Sequence, residues 1–389
     1  MGECRICHSA RRHSRKGLPG KNIRPQRQEE HVAKLGKVTL RRLHLPLVKP
    51  YRLSYRTFDV FEPFLLEVED ETGRRSFSDG HVSPGSSKET REGAWAFLER
   101  HIRAAAGREP EEVTGKVLGE FEDSKVAATI LVTALENLAA DPLLGVPEAV
   151  RLPLLIPIGQ TDLAAIPAEV EDCLAQGYRT FKVKVGKDVE ADLQRVAAIQ
   201  SASAGRATLR LDANRAFDRA QGVSFSARLD PTGIELFEQP CAAEDWESNE
   251  AVARASTVPL MLDEPICTLD DIKRAGNIPG VGFCKLKLKR FGGLRRLRDG
   301  LEAVRAHGME PVLGDGLGSE IHNWMEASLA NGVIRNAGEF NGFLKCRDRL
   351  FANPMTFRDG ALCLPKGYRP TLDPEAVERL TAVRSDYVF

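Results

Sequence analysis

Short apolar runs alternate with helix-length segments through the second half of the chain, beginning near Leu152. Each run has the length of one strand, and the stretch after it has the spacing of a helix. The runs read LPLLIPIG, TFKVKVG, ATLRLDAN, GIELFEQP, VPLMLDEP, GFCKLKLK, EPVLGD and IRNAGEF. Eight strands in repeated βα units are enough to close a barrel, so the pattern predicts a catalytic α/β barrel over residues 151–350.

The segment before the barrel has a different pattern, in which strands come first and helices follow. KVTLRRLHLPL and FEPFLLEVED read as strands, and TGRRSFSDG reads as a third strand or a turn. Two loops, Val48–Val60 and Asp79–Ser87, interrupt this region, and Glu89–Arg103 and Ser124–Leu138 have helical spacing. Strands followed by helices predict a small α+β domain over residues 36–150.

The first 35 residues have few large apolar side chains and no periodicity, which predicts a flexible tail. They carry nine Lys and Arg against three Glu, so the remaining residues carry 46 basic and 52 acidic side chains. This mildly acidic remainder gives no reason to expect nucleic acid as a partner. Cys4-Arg5-Ile6-Cys7-His8 matches a haem-attachment pattern. Such attachment needs export, and no second metal-binding pair follows to complete a zinc site.

The composition is that of an ordinary globular protein rather than of a disordered chain or a fibre, with 42% hydrophobic and 28% charged residues in 389. No run approaches eighteen apolar residues, so no membrane partner is expected. The N-terminal basic residues precede no apolar segment of the signal-peptide type. The eight cysteines show no disulfide-like framework, which is typical of reduced thiols and predicts a cytoplasmic location.

Ionisable residues end seven consecutive apolar runs at intervals of 24 to 28 residues. Each interval matches one strand, one helix and two loops, so these side chains have the same phase in successive units. They are therefore expected at one rim of the barrel, the C-terminal rim that carries the chemistry in such folds. The seven residues are Lys184, Asp212, Glu238, Asp263, Lys287, Asp315 and Glu339.

Three of these residues, Asp212, Glu238 and Asp263, are carboxylates on adjacent strands. Hard oxygen ligands without Cys or His among them suit Mg²⁺ much better than Zn²⁺. The alternative is that the carboxylates only pair with lysines and hold the barrel together. Several charges at one rim are costly to desolvate without a metal or a substrate, which favours the Mg²⁺ site.

Lysines flank the three carboxylates on both sides. Because side chains alternate along a strand, Lys182 and Lys184 point the same way, and so do Lys285, Lys287 and Lys289. A metal ion between two lysines suits proton abstraction next to a carboxylate, since the ion stabilises the resulting enediolate. Lys182 is expected to assist by lowering the pKa of its neighbour Lys184.

The sequence resembles the enolase superfamily, in the muconate-lactonizing-enzyme branch of the mandelate racemase/muconate lactonizing enzyme group. The resemblance covers about residues 37–389 and rests on FKVKVG, LDAN, FEQP, LDEP and KLKLKRFGG, in that order. It implies a modified (β/α)₇β TIM-like barrel with an N-terminal α+β capping domain, to which residues 351–389 return. It also implies Asp212, Glu238 and Asp263 as Mg²⁺ ligands and Lys184 and Lys287 as the acid/base pair on opposite substrate faces.

Substrate contacts follow from the same resemblance, which makes the loops Val48–Val60 and Asp79–Ser87 the cap loops over the substrate. Tyr55, in the first loop, and Asn214, at the end of LDAN, are candidate substrate-binding residues. Asp315 is unusual for the branch, and Glu339-Phe340-Asn341 only half matches the Asp-x-Asp of dipeptide epimerases. We hypothesise that Asp315 and Glu339 face a cationic substrate, such as an amino acid or a betaine.

The predicted function is Mg²⁺-dependent racemisation or epimerisation of a small carboxylate, through an enediolate and two lysines. A cycloisomerase or a syn dehydratase would use the same residues, so both stay open. A catalytically silent binding protein on the same barrel is an alternative of another class, as is a nucleic-acid or haem partner acting through the tail. The family resemblance also implies a homo-oligomer.

Overall fold

The structure is a computed structural model that describes residues 33–52, 57–84, 88–314 and 316–389. The predicted tail, up to residue 32, lies outside the described residues. The strands are β1 Leu35–Leu43, β2 Leu45–Arg52, β3 Thr57–Phe61, β4 Phe64–Asp70, β5 Arg75–Gly80, β6 Val150–Pro153, β7 Ile156–Ile158, β8 Thr180–Lys184, β9 Thr208–Asp212, β10 Ile234–Glu238, β11 Leu260–Leu262, β12 Val281–Leu286, β13 Glu310–Leu313, β14 Thr356–Arg358, β15 Ala361–Leu364 and β16 Thr381–Val388.

The helices follow the strands much as the sequence pattern predicts. They are α1 Arg91–Ala104, α2 Pro110–Gly119, α3 Lys125–Leu138, α4 Ile166–Ala175, α5 Val189–Ser203, α6 Arg219–Ala227, α7 Trp246–Ala255, α8 Leu269–Gly276, α9 Leu288–Phe291, α10 Leu294–Ala306, α11 Glu320–Ala330 and α12 Pro374–Arg379. Short 3₁₀ helices cover Phe121–Asp123, Pro142–Leu144 and Gly342–Lys345. No helix among the described residues is both long enough and apolar enough to span a membrane.

Four antiparallel strands form the N-terminal sheet, in the order β16-β1-β4-β5. The last strand of the chain thus pairs with the first, with Leu40 opposite Ser385 on one side and Leu66 on the other. Leu40 and Leu66 are fully buried in a hydrophobic core that also contains Ile130 of α3. Most positions of β1 and β4 are buried, and α3 packs against β4 and β5 on one face of this sheet.

The predicted loop Val48–Val60 is largely a hairpin in the structure, since β2 runs to Arg52 and β3 begins at Thr57. The two strands pair at Leu45 with Phe61 and at Tyr51 with Phe58. The prediction of a loop was wrong here because exposed polar side chains on β2 hide the strand periodicity.

Seven parallel strands form the barrel sheet, in the order β13-β12-β11-β10-β9-β8-β7. The eighth predicted strand, IRNAGEF, makes only one parallel bridge, between Gly338 and Leu154. A backbone hydrogen bond from Glu339 to Leu313 O, at 2.9 Å, connects this segment to the edge strand β13, and hydrogen bonds from Gly338 to Pro153 O and from Leu155 to Gly338 O, at 2.9 and 3.2 Å, connect it to the residues just before β7. The barrel is thus closed by a short extended segment rather than by a full strand.

The first predicted barrel strand, LPLLIPIG, is divided between two sheets. Its first part belongs to β6, which pairs antiparallel with β15 outside the barrel. Its second part is β7, which pairs with β8 inside the barrel. A single apolar run cannot show this division, because both halves are apolar and both are paired.

Side-chain caps begin the helices that follow several barrel strands. Asp188 accepts a hydrogen bond from Ala191 N at the start of α5, and reciprocal capping boxes begin α6 and α8. Such caps satisfy backbone N–H groups that have no partner inside the helix. They fix where each loop ends, and so they hold the C-terminal ends of the strands at one rim.

Candidate active site

A cavity of about 370 Å³ opens at the C-terminal ends of the barrel strands. The predicted site residues that line it are Lys182, Lys184, Asp212, Asn214, Glu238, Asp263, Lys287 and Glu339. The structure therefore brings together all the predicted site residues that it describes. Tyr55 and Asp315 lie outside the described residues.

Lys182 lies deep in this cavity, on the barrel-facing side of β8. Its Nζ is 2.8 Å from Asp212 Oδ2, 2.8 Å from Glu238 Oε2 and 2.6 Å from Glu339 Oε1. Burial alone would lower the pKa of Lys182, but Asp212 and Glu238 more than offset burial and raise it. The ammonium group of Lys182 thus contacts three carboxylates at once.

Lys184 stands at the end of the same strand, and its side chain is 42% exposed. Its Nζ donates to Asp212 Oδ2 at 2.6 Å and also to Asn214 Oδ1. Asn214 has a φ of 45°, a left-handed conformation that Asn tolerates better than most residues. Its backbone N donates to Asp212 Oδ1 at 2.9 Å. Asn214 therefore orients both Lys184 and Asp212, in addition to lining the cavity.

Lys285 is, with Lys182, one of two buried lysines among the described residues of the cavity, and the sequence analysis assigned it no role. Its Nζ lies 3.2 Å from Glu238 Oε1 and also contacts Glu339 Oε2. Burial, together with the charge of Lys182, lowers the pKa of Lys285 to about 7, although Glu238 opposes the change. Both oxygens of Glu339 are thus engaged by buried lysines, Lys182 and Lys285, rather than presented to the open cavity.

Lys287 follows β12 directly and is the N-terminal cap residue of α9. The strand therefore ends before Lys289, which lies in α9, so the predicted strand alternation does not extend to it. The Nζ of Lys287 donates to Asp263 Oδ2 at 2.9 Å, and Nη1 of Arg290 lies 2.9 Å from Asp263 Oδ1. Burial would raise the pKa of Asp263, but Arg290 and Lys287 lower it well below its usual range.

Glu264, next to Asp263, shows the opposite behaviour at the same rim. Burial, together with the charge of Asp263, raises the pKa of Glu264 to about 7. Its Oε2 is buried and accepts no hydrogen bond within the described part of the chain, while Arg215 Nε lies 3.3 Å from its Oε1.

Two further residues position the rim and were missed by the sequence analysis. Gln239 accepts a hydrogen bond from Asp263 N at 2.9 Å and so fixes the start of that loop. Arg195 donates to Ile158 O and Lys184 O, at 2.8 and 2.7 Å, and ties the ends of β7 and β8 together. Gln239 follows Glu238 within FEQP and could have been found there, whereas Arg195 lies in α5 with no distinguishing signal.

The carboxylates suit a Mg²⁺ ion by chemistry, since Asp212, Glu238 and Asp263 offer hard oxygens from three adjacent strands. Asp263 Oδ1 makes an ion pair with Arg290 at 2.9 Å, without the geometry of a hydrogen bond from the described residues. As they stand, no three acidic, His or Cys side chains in the described ranges are arranged to hold a metal ion. Between Asp212 and Glu238 the positive charge is supplied by Lys182, so the site already brings a cation and carboxylates together.

A family model described as enolase C-terminal domain-like matches residues 165–370, more than half of the chain. The chain belongs to the enolase superfamily. The resemblance inferred from the five motifs is therefore confirmed, together with its muconate-lactonizing branch.

Two named relatives of this superfamily member extend along most of its length. It is 29% identical to muconate cycloisomerase 1 of Rhodococcus opacus over 348 residues, which cover 84% of this chain and 92% of the relative. It is also 29% identical to N-succinylamino acid racemase of an Amycolatopsis species, over 90% of this chain and 98% of the relative. These similarities confirm an enzyme, and they identify an isomerase of the enolase superfamily.

The barrel with its capping domain is confirmed by a solved structure. N-succinyl Arg/Lys racemase from Bacillus cereus superposes with a TM-score of 0.82 at 18% identity, covering 91% of this chain and all of that chain. At this identity the likeness shows the fold alone.

Proposed function

We propose that this enolase-superfamily enzyme is a Mg²⁺-dependent racemase or epimerase that acts on a small carboxylate. The observation that carries the proposal is the placement of Lys184 and Lys287 in one cavity. They stand on β8 and directly after β12, and the three strands that bear Asp212, Glu238 and Asp263 lie between them. Two lysines on either side of a bound substrate match the needs of 1,1-proton transfer.

In this proposal one lysine removes the α-proton and the other returns a proton to the opposite face. The lysine that acts first is neutral and becomes an ammonium group, while the second donates its proton and becomes neutral. Hydrogen bonds from Lys184 to Asp212 and Asn214, and from Lys287 to Asp263, orient the two Nζ atoms. Fixed orientation of acid and base is a principal source of rate in such steps.

Asp212, Glu238 and Asp263 would hold Mg²⁺, which when bound stabilises the negative charge that develops on the substrate carboxylate. The remaining side chains keep these ligands ionised and in place. Lys287 and Arg290 keep Asp263 charged, and Gln239 fixes its backbone.

The hypothesis of a cationic substrate loses one of its two supports. Glu339 lines the cavity, but its carboxylate oxygens contact Lys182 and Lys285, and a substrate cation would have to compete with these lysines for them. Asp315, the other support, lies outside the described residues. The proposal therefore specifies only the carboxylate group of the substrate, and the assay below identifies the rest of the molecule.

Muconate-type cycloisomerisation is the second candidate function. It is favoured by the 29% identity with a muconate cycloisomerase across 84% of this chain. The same two lysines would serve it, with only one proton transferred to or from carbon. The two candidates differ in their product, so one substrate panel separates them.

The test is α-proton exchange in D₂O followed by NMR, across amino acids, N-acylated amino acids, betaines, hydroxy acids and cis,cis-muconate. We expect Mg²⁺-dependent exchange in one compound class, abolished by EDTA. Lys184→Ala and Lys287→Ala should each lower kcat by on the order of 10³-fold, because each removes a general acid or base. With a racemase, each variant should still exchange the proton of only one enantiomer.

Lys366→Met is the matched control, because its exposed side chain pairs with Glu148 on the surface. It should exchange protons at the rate of the unsubstituted enzyme. If the enzyme forms a lactone from muconate and exchanges the α-proton of no other compound, cycloisomerisation would replace racemisation as the proposed function. Exchange that persists at full rate in both lysine variants would refute the two-base site.

The proposal also includes a cytoplasmic enzyme with a small-molecule partner. Six described cysteines, at positions 173, 241, 267, 284, 346 and 363, are free thiols, which supports a reducing compartment. A homo-oligomer stays a prediction, which light scattering would test.

A further inference from the structure

Three separate segments meet at one wall of the cavity, around the side chain of Lys345. Its Nζ donates to Gly316 O at 2.7 Å and to Asn341 Oδ1 at 2.9 Å. The same ammonium group lies 4.6 Å from the centre of the Tyr51 ring. Tyr51 belongs to the cap hairpin, Gly316 follows β13, and Asn341 follows the segment that closes the barrel. All four residues line the cavity.

Gly316 is the point at which the other three side chains converge. A Cβ atom at this position would lie 3.3 Å from the Tyr51 hydroxyl, 3.6 Å from Asn341 Oδ1 and 3.7 Å from Lys345 Nζ. The backbone of Gly316 has a φ of 71°, which most side chains disfavour. Its N donates to Glu339 O at 2.9 Å, so the residue is held from both ends.

The cap hairpin is attached to the barrel beside this wall. Leu47 of β2 forms an antiparallel bridge with Cys346, and Arg347 N donates to Pro46 O at 2.9 Å. Arg347 Nε also donates to Leu47 O at 2.8 Å. The hairpin is thus anchored by backbone pairing at one end of β2, whereas Lys345 contacts it near the other end, at Tyr51.

We propose that Lys345 is a positioning residue for catalysis, which holds the cap hairpin, the loop at Gly316 and the turn at Asn341 together as one wall of the substrate cavity. A cation fits this place for two reasons. It can donate to a carbonyl and an amide oxygen simultaneously, and it is attracted to the face of an aromatic ring. An apolar side chain of the same length would offer neither interaction.

The consequence for the enzyme is a wall whose position does not depend on the substrate. Preorganised walls lower the cost of ordering the site when the substrate binds. Removal of the ammonium group should therefore weaken substrate binding more than it slows proton transfer. The kinetic part of this inference rests on the proposed function, and the structural part does not.

The experiment combines hydrogen–deuterium exchange of the purified full chain with steady-state kinetics on the substrate identified by the D₂O panel. In Lys345→Met, peptides that cover β2 and residues 316–320 should exchange at least about threefold faster. We expect KM to rise at least about fivefold while kcat changes by less than about twofold. Lys345→Arg keeps a cation that can donate and stack, so it should restore both values.

Tyr51→Leu tests the same wall from the cap side and should accelerate exchange in the same two segments. In the double variant, the two segments should exchange no faster than in the faster-exchanging single variant, because both substitutions remove the same contact between Lys345 and Tyr51. Lys366→Met is the control, with no change expected in either segment. Unchanged exchange of both segments in Lys345→Met overturns the proposal, whether or not an activity has been found. Faster exchange with kcat lowered and KM unchanged overturns its kinetic part.

Discussion

Two groups of buried charges in this molecule differ sharply in how their carboxylates are compensated. At the cavity rim, Asp212, Glu238, Asp263 and Glu339 each contact at least one lysine Nζ within the barrel. Lys182 alone contacts three of the four. The burial of these carboxylates is therefore offset by charge, and the pKa of both Asp212 and Asp263 is lowered.

The second group, which we call the seam cluster, consists of Asp79 on β5 and of His322 and Glu326 on α11. All three are at least 96% buried. Neither carboxylate of the seam cluster accepts a hydrogen bond from the described residues, and His322 Nε2 lies 3.5 Å from Glu326 Oε1. Burial raises the pKa of Asp79 to about 6, although the charge of His322 opposes the change.

The difference shows that burial by itself does not set the charge of a carboxylate in this fold. Where a lysine reaches the carboxylate, the ionised form persists, and where none does, the proton is held more tightly. The lysines of the rim therefore lower the pKa of Asp212 and Asp263, whereas the seam cluster makes stability depend on pH. Variants that remove the shared cation of the rim, or the titratable carboxyl group of the seam cluster, test this comparison.

The largest effect is expected for Lys182→Met, which removes the cation that three rim carboxylates share. Loss of one partner from a buried ion pair costs about 3–5 kcal/mol of unfolding free energy. Because Mg²⁺ would supply the missing charge, excess Mg²⁺ should recover most of this loss. Chemical denaturation in EDTA and in Mg²⁺ measures both values.

Lys184→Met is the matched control for this prediction. Lys184 contacts Asp212 as well, but its side chain is 42% exposed, so the variant should lose activity while unfolding at nearly the same denaturant concentration. If Lys182→Met were as stable in EDTA as the unsubstituted chain, the rim would not depend on its cation.

A smaller effect, of the opposite sign, is expected for Asp79→Asn. The folded pKa of about 6 exceeds the ordinary value of 3.8, so the folded chain binds the Asp79 proton more tightly. This contribution to stability is present below pH 4 and is lost as the pH rises to about 6. Asparagine does not titrate in this range. The free energy of unfolding of the variant, relative to that of the unsubstituted chain, should therefore be about 3 kcal/mol larger at pH 7 than at pH 4.

The measurement is the free energy of unfolding of Asp79→Asn and of the unsubstituted chain at several pH values between 4 and 7.5. The groups that surround Asp79 are His81, Lys289, His322, Glu326 and Cys346, and all of them are retained in the variant. A stability difference that is the same at every pH would contradict the comparison. Activity at pH 7.5 should not change.

The smallest effect is expected for Thr90→Ala, which touches neither group. Thr90 Oγ accepts a hydrogen bond from Gly93 N and caps α1. Loss of such a cap costs about 1 kcal/mol. The same loss should be found with EDTA or Mg²⁺ and at pH 4 or 7, and any dependence on these conditions would show that the cap domain is coupled to the charged groups.

The sequence analysis predicted the rim well, and the reason is local. One strand and one helix occupy 24 to 28 residues in each unit, so a charged residue at each strand end has the same phase. The analysis was less successful where the partner lay far along the chain. The contact of Lys182 with Glu339, 157 residues away, was not predicted, and the assistance of Lys182 toward Lys184 stays a prediction. IRNAGEF looks like a strand, but it closes the barrel with a single bridge.

The amino-acid sequence by itself therefore determined the fold class, the family and the set of charged residues at the rim. Periodicity and motif spacing are properties of neighbouring residues, and they survive without knowledge of any contact. Only the tertiary structure decided which lysine holds which carboxylate, that Asp79 is buried against His322, and that Lys345 joins three segments at Gly316. Those outcomes depend on the closure of the barrel and on desolvation, and both are set by contacts between residues that are not neighbours in the sequence.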